Sequence, residues 1–169
     1  MKRIALIALC CTMLLASCKK EKPYERFVGE YAGQVLINGA MTISSLNFTQ
    51  NFENQPLDLE FTLTKGSADD QVILTYTPEG QSQTFTTTGT IDKDRVDFAP
   101  VYIDQDIEAS NVKSTIDLEG ILSGNQLAMQ GTVNGNGTLK TDDIIIPVVF
   151  TITGTMSGTL YKKTVAPEP

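Results

Sequence analysis

The sequence predicts an all-β protein: an antiparallel, largely up-and-down β-barrel of about eight strands, with a two-sheet β-sandwich as the alternative. Three observations predict it. Short runs rich in Thr, Val, Ile and Phe alternate apolar and polar residues, turns of Gly, Asn, Asp and Pro separate them, and no convincing helical periodicity follows the first two dozen residues. Strands joined in order, each apolar on one face, must hide that face and their edges, and closure into a barrel does both. Alternation alone does not distinguish a barrel from a sandwich.

In chain order, Lys2 and Arg3 precede an apolar run from Ile4 to Ala16. Its length suits the h-region of a signal peptide and falls short of the ~18 residues that span a bilayer. The run ends in Leu15-Ala16-Ser17-Cys18, which resembles a bacterial lipobox. The resemblance implies that the Cys18 sulfur takes a diacylglycerol, that a peptidase cuts before Cys18, and that the new amino terminus is acylated. Each buried methylene contributes ~0.8 kcal/mol, so two or three acyl chains are a sufficient anchor. Lys19-Lys20-Glu21-Lys22-Pro23 is charged and proline-broken, which predicts a flexible tether over 18–26. In lipoproteins of some Bacteroidetes-type bacteria, acidic residues just after the cysteine direct export to the surface. This chain lacks that pattern, so the expected location is the cell envelope, at the outer membrane facing the periplasm, with exposure at the cell surface as the alternative.

Composition closes several functional classes. The full chain carries a net charge of −7, and loss of Lys2 and Arg3 with the signal makes it more negative. Nucleic acid, whose phosphates demand clustered Lys and Arg, is an unsuitable partner. Cys10 and Cys11 leave with the signal and Cys18 is lipidated, which leaves no disulfide. With no histidine in the chain, a Ser-His-Asp or Cys-His arrangement and any histidine-ligated zinc site are excluded. The expectation is a protein that is not an enzyme and uses no cofactor or metal.

The folded part is expected over 27–162, followed by a disordered tail over 163–169. Leu57, Leu59, Phe61 and Leu63 alternate with Asp58, Glu60, Thr62 and Thr64, as in a strand with one buried face. Lys65 to Asp70 turns the chain, Val72, Leu74 and Tyr76 continue the apolar face, and Pro78-Glu79-Gly80 leads into a strand over Gln83 to Ile91. A weak internal repeat aligns Gly89 to Phe98 with Gly120 to Met129. Each copy has Gly and an aliphatic residue before a four-residue polar turn, then an apolar, any, apolar triplet, so both read as hairpins. From Val148 to Leu160 the alternation is unbroken, with Gly154 and Gly158 as places to bend, and this strand is expected to close against Phe27 to Ile37.

Phe27-Val28-Gly29-Glu30-Tyr31-Ala32-Gly33 resembles the entry to a calycin barrel, where lipocalins carry Gly-x-Trp and Tyr31 stands for the tryptophan. With the lipobox and the sequential hairpins, residues 27 to 161 resemble the calycin-like β-barrel lipoproteins of Bacteroidetes-type bacteria. The resemblance implies a fold and brings no established activity.

Acid–base chemistry has only carboxylate pairs to draw on. Asp58 with Glu60 and Asp117 with Glu119 each share one strand face, opposite the apolar face, which reads as a solvated surface. Asp92, Asp94 and Asp97, and likewise Asp104, Asp106 and Glu108, are imperfect echoes of a calcium loop and read as solvated turns. Asn134-Gly135-Asn136-Gly137 reads as a left-handed turn. The interior is the better candidate: Tyr31, Val35, Phe61, Leu74, Tyr76, Phe98, Met129, Phe150 and Met156 are expected to line it, with Leu59, Leu118 and several glycines interspersed. A barrel of eight strands either fills with side chains or leaves room for one small ligand. The two functional expectations are therefore a lipid-anchored barrel holding a small apolar molecule, and a solid barrel acting as a structural or protein- or glycan-binding module.

Overall fold

The computed structural model describes residues 21–79, 84–107, 110–139 and 148–163. It is an all-β, antiparallel structure. A short helix α1 (Pro23–Phe27) precedes β1 (Gly29–Ile43), β2 (Phe48–Lys65), β3 (Gln71–Tyr76), β4 (Phe85–Asp92) and β5 (Arg95–Phe98). β6 (Val101–Ile107), β7 (Ser110–Ser123), β8 (Gln126–Leu139) and β9 (Val148–Lys162) follow. The sheet order is β5-β4-β3-β2-β1-β9-β8-β7-β6, and a further β5–β7 pairing closes eight strands into a ring. Closure of β9 against β1 follows the expected pairing, from Tyr31 opposite Lys162 to Thr42 opposite Thr151.

The last junction of the ring is the two-copy repeat. Each copy is a hairpin, with Asp92 opposite Arg95 and Ser123 opposite Gln126, and the first central residue of each turn has positive φ (Lys93 58°, Gly124 62°). The copies lie side by side: Val96 pairs with Gly120, and the Leu122 N–H donates to the Asp94 carbonyl at 2.7 Å. The repeated glycine and the repeated large residue are opposite each other, Gly89 with Phe98 and Gly120 with Met129. A Cβ on Gly89 would lie 2.8 Å from the Phe98 ring, and one on Gly120 would lie 3.1 Å from the Met129 sulfur. Each glycine makes room for the side chain that faces it.

One end of the ring is solid. Tyr31, Val35, Leu63, Val72, Val96, Leu122, Leu127 and Leu160 are buried there, and Phe27 of α1 plugs the end with no exposed surface. α1 differs from the flexible tether expected over 18–26 and from the expected absence of helix. A helix of five residues is too short to show periodicity or to stand alone. It is held by Pro23 at its start, by the Glu25 carboxylate accepting from the Lys22 N–H at 3.0 Å, and by a Tyr24 N–H bond to the Asp69 carbonyl at 3.2 Å. Lys22–Asp69 (3.2 Å) and Arg26–Asp94 (2.5 Å) tie it to neighbouring turns, and Lys65 sits 4.8 Å from the Tyr24 ring centre. These ion pairs are exposed and contribute little individually; burial of Phe27 anchors the turn.

The other end is split. After Phe98 the chain breaks at Ala99-Pro100, where proline has no N–H to offer a ladder. β6 then resumes along the same edge of β7, Val101 opposite Ile116. Among the described residues β6 pairs only with β7, and Phe85 to Thr87 of β4 pair only with β3. The seam is pinned at its apex: the Ala99 N–H donates to the Thr88 carbonyl at 2.8 Å, and the buried Thr87 hydroxyl donates to the Ala99 carbonyl at 2.6 Å.

Asn134 to Gly137 corrects the expectation of a left-handed turn. They lie within β8, paired with Thr115 to Val112 on one side and Thr153 to Phe150 on the other. Steric room replaces backbone freedom as their reason: a Cβ on Gly137 would stand 2.4 Å from the Phe150 ring, and one on Gly135 2.7 Å from the Ser114 hydroxyl.

Candidate functional site

The alternation places the apolar positions inward with few exceptions. In β2, Phe61 and Leu63 are buried while Asp58, Glu60 and Thr64 are exposed; in β9, Phe150 and Leu160 are buried while Thr151 and Thr153 are exposed. Across β1 to β4 the register sets Tyr31, Phe61, Tyr76 and Phe85 in one row. The row begins in the solid half, where Tyr31 stacks on Phe61 with ring centres 5.7 Å apart. It ends at the seam, because Phe85 lies in the part of β4 that β6 does not join.

Behind the seam lies a cavity of about 260 Å3, lined by Leu57, Leu59, Phe61, Leu74, Tyr76, Pro78, Phe85, Val101, Ile103, Ile116, Leu118, Met129 and Met156. Seven of the nine strands contribute to it, and among the described residues no charged side chain does. Two features create the space. β3 and β4 are short, so the ring is complete only at the level of the solid end, and the Ala99-Pro100 break turns β6 away from β4.

Of the interior residues expected from the sequence, Phe61, Leu74, Tyr76, Met129 and Met156 line this cavity. Tyr31, Val35 and Phe98 are buried in the solid core instead, because the strand period says which face points inward and not how far along the axis a residue lies. Phe150 is buried too, opposite Gly137 toward the far end of β8 and β9, and takes no part in the cavity. Cys18 lies outside the described residues. Leu57, Pro78, Phe85, Val101, Ile103 and Ile116 are cavity residues that the sequence reading missed. Val101 with Ile103 and Ile116 with Leu118 do alternate with polar residues, and that period was the signal available.

Polar side chains on the inner face are treated unequally. The Tyr31 hydroxyl donates to the Phe27 carbonyl at 2.9 Å, and burial pushes its pKa up to about 12. Thr87 is satisfied by Ala99 as described. Tyr76 lines the cavity, burial raises its pKa, and among the described residues its hydroxyl has no hydrogen-bond partner.

Several of the outward-facing carboxylates pair with cations or amides, while Asp117, also exposed, makes no such pair among the described residues. Glu119 meets Arg95 and Gln130, Glu60 meets Lys163, Asp58 accepts from Gln34 at 3.1 Å, and Arg95 reaches Asp97 at 2.8 Å. Asp104 is held below the usual carboxylate range by hydrogen bonds, first from Lys113 and then from Asn111. Glu108 and the Asp106 side chain lie outside what the structure describes. Among the described residues no three His, Cys, Asp or Glu side chains converge as metal ligands, and no helix is long and apolar enough to cross a membrane.

An all-β ring with a solid, helix-plugged end and an apolar cavity behind a seam is the class of structure defined here. No protein-family model and no curated protein matches the chain.

Proposed function

We propose that this protein is a lipid-anchored protein of the bacterial cell envelope whose β-ring holds a small apolar molecule. The cavity of about 260 Å3 carries the reading. A dry apolar cavity of ~150 Å3 is enough to bind benzene, so this one has room for roughly ten heavy atoms. Its wall of aliphatic, aromatic and thioether groups favours such a guest by the ordinary transfer of apolar surface out of water. The alternative of a wholly solid barrel leaves that space without a purpose, and the absence of charge among the described wall residues argues against an anionic guest.

On this reading the lipobox supplies the anchor, and an anchored Cys18 would set an orientation. Cys18 is four residues before Lys22, a separation of at most ~14 Å, and Lys22 lies at the plugged end. With Cys18 lipidated, that end would face the membrane, while β1 runs away from it for fifteen residues. The seam opens on the side of the molecule remote from the anchor, which suits a guest taken from the aqueous envelope or from another carrier.

The test is direct. A chain starting at Lys19 retains every residue of the described core and carries no lipid, and its β-type circular dichroism is checked first. Naphthalene, whose ten carbons match the volume, should bind saturably at one equivalent by fluorescence titration. Filling the space with Ile116→Phe should abolish binding and leave the β-type circular dichroism unchanged. Absence of saturable binding in the parent chain would remove the reading.

A further inference from the structure

We infer that the guest carries one uncharged hydrogen-bonding oxygen, and that the Tyr76 phenol is the group that reads it; this rests on the cavity-binding reading above. Besides Ser114, which stands opposite Gly135 and off the cavity wall, the described inner face holds the side-chain hydroxyls of Tyr31, Tyr76 and Thr87, placed by the same strand alternation. Two have protein partners: Tyr31 bonds to Phe27 and Thr87 to Ala99. Both sit where the wall is solid or pinned. Tyr76 sits between Phe61 and Phe85 in the aromatic row, on the cavity wall, and among the described residues its hydroxyl bonds to nothing.

A phenol sealed in a core without a partner is costly, by about 1–3 kcal/mol. Tyr76 is not sealed, because among the described residues no buried side-chain oxygen lacks a partner. Its hydroxyl therefore ends in accessible space, yet it is shielded enough to hold its proton more tightly than a free phenol. Tyr76 borders both the cavity and an outer groove with Thr75 and Thr77, and its inward register beside Phe61 and Phe85 is the ground on which we assign the hydroxyl to the cavity. Phenylalanine would have furnished the same apolar wall without a hydroxyl, as Phe61 and Phe85 do on either side.

The chemistry of the guest follows. With an apolar guest seated, the Tyr76 hydroxyl loses water and needs a replacement partner, so a guest with a carbonyl, ether or hydroxyl oxygen is favoured over a plain hydrocarbon. An ionised carboxylate is disfavoured, because among the described residues no Lys or Arg lines the cavity to offset its desolvation. The ligand class is therefore a neutral, mostly hydrocarbon molecule with a single oxygen function.

Three probes of one skeleton test this on the chain starting at Lys19: naphthalene, 2-naphthol and 2-naphthoate. The parent protein should bind 2-naphthol about tenfold more tightly than naphthalene, the size of one retained hydrogen bond, and 2-naphthoate more weakly than either. Tyr76→Phe should erase the naphthol preference and leave the naphthalene affinity within about twofold. Tyr31→Phe, which removes a hydroxyl outside the cavity, should keep the preference. Equal affinities for naphthalene and naphthol in the parent, or a preference that survives Tyr76→Phe, would overturn the inference and leave the cavity reading standing. Failure of all three probes would remove both.

Discussion

Gly158→Ala offers a sharp test of how the ring is closed. Gly158 lies in the middle of β9, opposite Val35 of β1 and Met129 of β8. A Cβ there would stand 2.3 Å from the Gln34 carbonyl oxygen, 2.6 Å from the Val35 Cα and 2.8 Å from its Cγ1. Ordinary contact begins at 3.4 Å, and the two nearest atoms are backbone, so β1 and β9 must separate by roughly 1 Å rather than let a rotamer turn. Overpacking of this kind costs about 1–3 kcal/mol, and a backbone clash belongs at the upper end. For a domain of this size, about 3 kcal/mol lowers the melting temperature by roughly 6–12 °C. Gly124→Ala is the control: nothing lies within 4 Å of its Cβ, and only its φ of 62° opposes a side chain, for about 1 kcal/mol. Guanidinium titration followed by circular dichroism compares the two. A Gly158→Ala variant as stable as Gly124→Ala would mean that β9 does not press on β1 in this register.

Three further outcomes follow from the same structure. Phe150→Ala should cost about 3–5 kcal/mol, because the ring is buried against Gly137, whereas Thr151→Ala, on the exposed face, should stay within about 0.5 kcal/mol; equal effects in chemical denaturation would put the strand out of register. Burial raises the Tyr31 pKa from 10.0 to about 12, so the folded state binds this proton more tightly than the unfolded chain. Stability should be unaffected by this group below pH 10 and fall as pH rises toward 12; a stability profile in that window that Tyr31→Phe leaves unchanged would contradict the assignment. Replacing Cys18 with Ser should stop incorporation of labelled fatty acid in the source cell, and continued acylation would end the lipobox reading.

Much of the fold was legible because β-alternation is a local signal. Leu57 to Thr64 and Val148 to Tyr161 announce their faces residue by residue, and the structure keeps both from Leu57 to Thr64 and from Val149 to Tyr161. The internal repeat was legible as two hairpins, while its meaning needed coordinates: Gly89 and Gly120 are small because Phe98 and Met129 stand opposite. The same principle explains the misread Asn134 to Gly137. Composition favours a turn there, but the glycines answer to Phe150 and Ser114 on neighbouring strands, which no local window contains. α1 was hidden for a related reason, since a single helical turn exists only where Phe27 finds a socket at the end of the ring.

The candidate site was half legible. Phe61, Leu74, Tyr76, Met129 and Met156 could be assigned to the interior from parity alone. Which interior residues meet a cavity and which meet each other depends on height along the axis, set by the short β3 and β4 and by the break at Ala99-Pro100. Tyr31 and Val35 were therefore grouped with the cavity although they belong to the solid end. Phe85, Val101 and Ile103 matter because the seam passes between them, and a seam is a property of pairing rather than of sequence.

The central claim is that a guest occupies the space behind the seam, and the methionines report on it. From Lys19 onward the chain holds three, Met41, Met129 and Met156. Met129 and Met156 line the cavity, whereas Met41 pairs with Ile152 and Gln50 toward the far end of the strands and does not. With 13C-labelled methionine methyls, titration with 2-naphthol should shift the Met129 and Met156 signals together, saturating at one equivalent, and leave Met41 in place. A shift confined to Met41, or no saturable shift at Met129 and Met156, would show that the cavity is not where an apolar guest binds.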